Sequence, residues 1–425
     1  MKLQTQITRH TILELIITLY LARLLFPLPF RHLPFPLYSN YFYSLLVFLS
    51  FAILYPKTYV LKALIPFYIF FIIQIIFTPL IWTKRFNSFE IGYNLNIESI
   101  IVSYYPILIS LLIYFHYIYE NDFFTLGRIC KRAIIFTFLG VINSLLIFSI
   151  YPDALIEYNI FLGAIPLAEF YSSLGLLDYG FFSAICSIFP IFIYMVMETN
   201  INILAKACWL LLILLSFYSI ICTQITAFLL FAVIFGIGSI FLKANYKKDI
   251  RILIILLLII ILFIPQSFIA QIFYKSSELF TSARLQKRIY DAGLTLENPI
   301  IDYYSSPQHA GRRLGRIPIL FESFLTNPII GGGLHTNHVK WLDMLSVNGL
   351  LGFLPWVWLI VDNYKRNLKI LDKKYVPSYI LCVIAFIAMG FLKNTGYSYT
   401  WIFWFLIVPG SNFIYRTYSD NNNYL

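Results

Sequence analysis

The chain has 425 residues, 60% of them hydrophobic and only 12% charged, with a mean hydropathy of +0.78. A water-soluble globular domain carries about a quarter charged residues, so that class is excluded. The formal net charge of +11 does not point to nucleic acid, because the basic residues cluster between apolar runs with no stacking aromatics on a polar face.

The apolar runs are about 17–25 residues long, each enough to cross a hydrocarbon core of roughly 30 Å. In lipid a backbone must satisfy its own hydrogen bonds, and runs of this length do so as helices. The expected fold class is therefore all-α: a polytopic membrane protein of about twelve transmembrane helices with a large external loop between helices nine and ten. The spans fall near 11–27, 37–55, 60–82, 98–119, 132–151, 179–197, 204–221, 225–242, 251–271, 344–361, 376–392 and 397–415. Lys2 and Arg9 precede the first run, and Phe26-Pro27-Leu28-Pro29 follows it with no small-residue cleavage site, so this span reads as uncleaved.

An even number of spans puts both termini on one side, and the positive-inside rule places them in the cytoplasm. That side then holds Arg128, Lys131, Arg132, Lys243, Lys247, Lys248, Lys365, Arg366, Lys369, Lys373 and Lys374, whereas the opposite short loops hold Arg31, Lys84, Arg85 and Lys393. Three parts follow: an N-terminal transmembrane bundle at 1–271, a large periplasmic loop at 272–343 carrying the candidate site, and C-terminal transmembrane helices at 344–425. The five cysteines lie outside the loop and form no CxxC pair, so they read as small membrane-phase residues rather than disulfides or ligands.

The large loop is the exception to the charge pattern and concentrates chemistry-bearing residues. A first helix is expected over 282–290, with Ser282 as N-cap and Gly293 as its stop, gathering Arg284, Lys287 and Arg288 on one face. A second is expected over 317–326, opened by Pro318 and ended before Asn327-Pro328, with Arg312, Arg313 and Arg316 just ahead of it. Its residues Ile317, Leu320, Phe321 and Phe324 make an apolar stripe suited to a membrane surface. Guanidinium groups pair bidentately with phosphate and stay charged at any pH, so these arginines suit an anionic partner; simple headgroup snorkelling is the plainer alternative. Gly331-Gly332-Gly333 permits close backbone approach or positive φ, as a ligand-binding turn or a plain hinge would. His335 and His338 stand three apart with Asp343 nearby, without the third ligand at firm spacing that a metal site needs, so no metal is expected. A histidine here is suited instead to proton transfer or to hydrogen bonding with a phosphate or sugar hydroxyl.

The order of these residues resembles the signature of the O-antigen polymerase and O-antigen ligase superfamily of membrane glycosyltransferases. There an arginine precedes a helix, an Asn-Pro turn runs into glycines, a histidine follows, and a Gly-Leu-Leu-Gly pattern opens the next span. Here Arg313, Asn327-Pro328-Ile329-Ile330-Gly331-Gly332-Gly333, His338 and Gly349-Leu350-Leu351-Gly352 take those places. The chain departs from the pattern at Val339, where asparagine is usual, and at Ile317, where tryptophan is common. It also lacks an arginine near Thr223-Gln224-Ile225 and in Glu169-Phe170-Tyr171-Ser172.

The resemblance implies an enzyme that polymerises undecaprenyl-diphosphate-linked oligosaccharide repeat units into a surface polysaccharide, an O-antigen or a capsule. The site would face the periplasm from the bacterial inner membrane. It implies His338 and Arg313 as catalytic residues, and Arg312, Arg316, Arg284 and Arg288 as diphosphate-binding residues. Asn327, Gly331 and Gly333 would shape the loop. No cofactor is implied, because the donor is already activated as a lipid diphosphate; membrane lipid and a polysaccharide chain-length regulator are the other partners implied. A ligase that moves finished glycan to lipid A-core shares this chemistry, and a lipid-linked oligosaccharide flippase is the alternative of another class.

Overall fold

The computed structural model describes residues 2–85, 97–155, 165–198, 201–223, 225–241, 266–279, 283–297, 309–336, 339–392 and 398–414. Among them the chain is helical with no strand. Helices α1 (Lys2–Leu25), α2 (Asn40–Leu54), α3 (Ile65–Arg85), α4 (Ile97–Tyr119) and α5 (Phe123–Ile150) come first, then a short α6 (Ile165–Ser173). They are followed by α7 (Tyr179–Met197), α8 (Ile203–Cys222), α9 (Thr226–Phe241), α10 (Gln266–Ser277), α11 (Ala283–Glu297) and α12 (His309–Thr326). The last are α13 (Lys340–Ile370), α14 (Val376–Leu392) and α15 (Ser398–Ile402), which runs on through a π turn at Phe403–Ile407.

Five of these helices are long and apolar enough to cross a membrane: Ile101–Tyr119 of α4, and α5, α7, α8 and α13. Shorter apolar helices at Asn40–Leu54, Lys62–Ile76, Phe228–Ile240 and Val376–Phe391 coincide with four more of the expected runs. Most of the run expected at 251–271 lies outside the described residues.

Local chemistry sets the helix starts. Asp122 accepts from the Thr125 N–H at 3.0 Å, Asp178 from Gly180 and Phe181 at 2.8 and 3.2 Å, and Asn202 from Ala205 at 2.7 Å. Each satisfies N–H groups that the first turn leaves without a partner.

The outward faces are inverted relative to a water-soluble protein. Leu210, Leu211, Leu214 and Tyr218 of α8 point outward while Ser216 and Ser219 are buried. Helix α9 exposes Leu230, Val233, Ile234 and Ile237 and buries Ser239. Apolar surface of this extent is stable only against an apolar surrounding.

Helix α7 is the buried axis, packed by α8, α9 and α14, while α13 lies along α3. An aromatic column ties the last helices to the first half of the chain. Trp356 of α13 stands 5.1 Å from Phe70 of α3 and 5.2 Å from Trp401 of α15, and Phe386 stacks on Trp404 at 4.3 Å. Aromatic pairs of this kind add to the hydrophobic burial of their rings.

Two expected loop helices need correction. The first does not stop at Gly293 but continues to Glu297. Gly293 serves instead as a contact point, since a Cβ there would stand 2.7 Å from the Tyr274 ring of α10. The absent side chain lets α10 and α11 pack closely, and that packing outweighs the glycine's poor helix propensity. The second helix starts at His309, so Arg312, Arg313 and Arg316 lie on it rather than ahead of it, and Pro318 falls inside it. Leu320 and Gly315 are buried where α12 meets its neighbours, whereas Ile317, Phe321 and Leu325 remain exposed. Packing along that face carries the helix past its proline.

Candidate functional site

The candidate site is built on α11, α12 and α13, which pack in sequence, α11 against α12 and α12 against α13. Arg284 and Arg288 ride on α11, and Arg312, Arg313 and Arg316 on α12. The structure therefore brings the two arginine-bearing helices together. Arg288 and Arg316 are half-buried. The side chains of Arg284, Arg312 and Arg313 lie outside the described residues, as do Asn337 and His338 altogether.

The turn after α12 is stitched into a break in α13. Gly349 takes φ 58° and ψ −161°, which only glycine tolerates, and this interrupts the helix. The N–H groups of Leu350 and Leu351, freed by the break, donate to the carbonyls of Pro328 and Ile329 at 2.9 and 3.0 Å. From the other side, Gly333 donates to Ser346 at 3.1 Å. Asn327 shapes the turn twice over: its carbonyl accepts from Gly331 at 2.7 Å, and its side chain accepts from Ile330 at 3.3 Å.

Gly331 and Gly333 have φ of 84° and 87°. A Cβ on Gly331 would collide with the Val347 carbonyl, and one on Gly332 with the Ser323 carbonyl. The close approach these glycines permit is to α13 and α12 of the same chain.

Beyond the turn, Asp343 holds the connection to α13. It is 2% exposed; its Oδ1 accepts from the Thr336 N–H at 2.7 Å and the Thr336 hydroxyl at 2.9 Å, and its Oδ2 from the Val339 N–H at 3.2 Å. A carboxylate so placed also complements the positive end of α13. In the sequence Asp343 reads only as a neighbour of two histidines; its role as a clamp depends on two backbone N–H groups and one hydroxyl that no spacing rule encodes. Among the described residues, no group of three His, Cys, Asp or Glu side chains is arranged to hold a metal ion.

Polar residues missed by sequence reasoning line the interface beneath the turn. Gln74 of α3 is 2% exposed and Asn348 of α13 7%, and the Asn348 amide donates to Gln74 Oε1 at 3.3 Å. The Lys340 ammonium, at the start of α13, lies 5.7 Å from the centre of the buried Tyr104 ring on α4. A buried amide pair in an apolar interface needs mutual hydrogen bonding; the single glutamine in the run 60–82 was the available signal.

A separate cavity of about 220 Å³ lies between Leu54, Lys57, Thr58, Tyr119 and Glu120, and none of the expected site residues lines it. Comparison with known protein families yields no family whose model matches the chain, and comparison with curated proteins likewise yields no match.

Proposed function

We propose that the chain is a multi-pass glycosyltransferase of the bacterial inner membrane that polymerises undecaprenyl-diphosphate-linked oligosaccharide repeat units at the periplasmic face. On this reading about twelve spans cross the bilayer, both termini are cytoplasmic, and the loop carrying α11 and α12 faces the periplasm.

One observation carries the reading furthest. The segments that resemble the polymerase and ligase signature, Asn327 to Gly333 and Gly349 to Gly352, are far enough apart in sequence to be independent, yet hydrogen bonds join them into one unit. Of the arginine-bearing helices, α12 leads into that unit and packs on α13, and α11 packs on α12.

The chemistry follows from the donor. An acceptor hydroxyl attacks the anomeric carbon of a lipid-linked sugar, the new glycosidic C–O bond forms, and the bond to the diphosphate breaks with its electron pair leaving on undecaprenyl diphosphate. The hydroxyl proton passes to a base or to the departing phosphate. Arginines on α11 and α12 would stabilise the charge gathering on the diphosphate without a metal. His338 would orient or deprotonate the acceptor, or contact the diphosphate.

A coupled transporter needs ionisable groups free to exchange ions at mid-membrane. Glu14, the acidic residue inside the first span, is instead engaged by two arginines. Its oxygens receive Arg128 at 2.5 Å and Arg132 at 2.8 Å, and Arg132 also donates to Thr18 at 3.0 Å. This favours the enzyme over a flippase.

The test is deletion of the gene and gel analysis of the surface glycan, with complementation by wild type, His338→Ala and Arg313→Ala. A polymerase predicts loss of the long ladder with a single repeat unit still on its acceptor, and failure of both variants to restore it. Long polymer accumulating on the lipid carrier would instead identify a ligase, and single units trapped on the cytoplasmic face would identify a flippase.

A further inference from the structure

Lys340 is placed where a cation is poorly served by its own protein. It is the first residue of α13, at the helix end whose dipole favours negative charge. Its side chain is half-buried against the Tyr104 ring. Among the described residues no carboxylate lies within ion-pair distance of it. The acidic group of the first turn, Asp343, attracts the ammonium from three residues along, but its oxygens are engaged by Thr336 and Val339.

Tyr104 is itself fixed, edge-on to Phe70 of α3 at 4.9 Å. One turn further along α3, Gln74 meets Asn348, which lies eight residues along α13 from Lys340, about 12 Å by helix rise. A polar lane therefore runs between α3, α4 and α13, with Asn348 beside the glycine turn and the ammonium at the other end. A lysine that simply snorkels extends to open water; this one lies over a buried ring. A partly desolvated ammonium calls for an anion.

We propose that Lys340, steadied by Tyr104, is a contact for a phosphate-bearing lipid headgroup entering between α4 and α13. Taken with the function proposed above, on which this identification rests, the headgroup is the diphosphate of the lipid-linked repeat unit.

The experiment uses the full chain purified in an uncharged detergent. Wild-type protein is treated briefly with an amine-acetylating reagent, alone and with undecaprenyl diphosphate, inorganic pyrophosphate or phosphatidylglycerol, and acetylation at each lysine is read by mass spectrometry. Undecaprenyl diphosphate should protect Lys340 and leave Lys369, Lys373 and Lys374 unprotected. In parallel titrations Lys340→Met should weaken binding of that lipid at least about tenfold, with Lys340→Arg close to wild type. Using wild-type protein keeps the labelling result independent of whether Lys340→Met folds.

Lys340 acetylated equally with and without every probe would overturn the contact, whatever the glycan ladder shows. Protection by phosphatidylglycerol but not by undecaprenyl diphosphate would keep the phosphate contact, assign it to bulk lipid, and count against the repeat-unit substrate. Equal binding by Lys340→Met and wild type would leave the polymerase reading standing and remove Lys340 from it.

Discussion

Thr336 gives both its backbone N–H and its hydroxyl to one oxygen of Asp343, at 2.7 and 2.9 Å, and Val339 gives its N–H to the other at 3.2 Å. Two points either side of Asn337-His338 are thus tied to one buried carboxylate. Asp343→Ala would leave those donors without acceptors at a cost of about 3 kcal/mol. Asp343→Asn keeps one acceptor oxygen for Thr336 and should lose about half as much. Thermal unfolding in detergent gives the order wild type, Asn, Ala; an alanine variant as stable as wild type would remove the clamp.

Gly349 and Gly331 face each other across the stitched turn. A Cβ on Gly349 would stand 2.5 Å from the Gly331 nitrogen, and its φ of 58° already disfavours any side chain. Gly349→Ala and Gly331→Ala should each destabilise by about 2 kcal/mol or more. Because they damage one contact, the double variant should lose less than the sum. Additive losses in the thermal-unfolding cycle would mean the two glycines act separately.

Glu14 is 7% exposed, whereas its partners Arg128 and Arg132 have side chains 39% and 40% exposed. Solvent screening discounts their contribution, so Glu14→Gln should cost about 1–2 kcal/mol. Arg128→Gln should cost less, since Arg132 still pairs with the carboxylate. If the cluster is structural, Glu14→Gln restores the glycan ladder in a deletion strain; a folded Glu14→Gln protein that restores nothing would reopen the transporter reading.

Burial pushes the Asp178 carboxyl up to about 6, against the N–H groups of Phe181 and Gly180 that pull it down. A folded-state value above the ordinary one means the folded protein prefers the protonated acid. The stability this contributes is complete at acidic pH and is lost as pH rises from about 4 through about 6. Asparagine keeps the cap acceptor and removes the charge. Asp178→Asn should therefore melt above wild type at pH 7, with the gap closing towards pH 4; a gap independent of pH would refute the shift.

Much of the helical layout was legible in the sequence, because long apolar runs have few alternatives to helix. The run expected at 179–197 coincides with α7, where Asp178 caps the start and the apolar stretch supplies the rest. The loop helices were less legible. Gly293 and Pro318 read as boundaries by local propensity, yet α11 and α12 continue through both. Their neighbours decide: Tyr274 over Gly293, and the packed faces around Leu320.

The division is clearest around the candidate site. Sequence alone determined that Asn327, Gly331 and Gly333 lie in turn-forming company and that arginines crowd the same stretch, because glycine, proline and guanidinium chemistry is local. Tertiary structure alone decided that the turn is stitched to the Gly349 break, that Asp343 is a clamp, and that Lys340 rests on Tyr104 beside Gln74 and Asn348. Those relationships join residues from α3, α4 and α13, up to 274 positions apart. Hydrogen bonds and buried charge are settled by what the folded chain places within about 3 Å of each group, and sequence spacing carries no record of that.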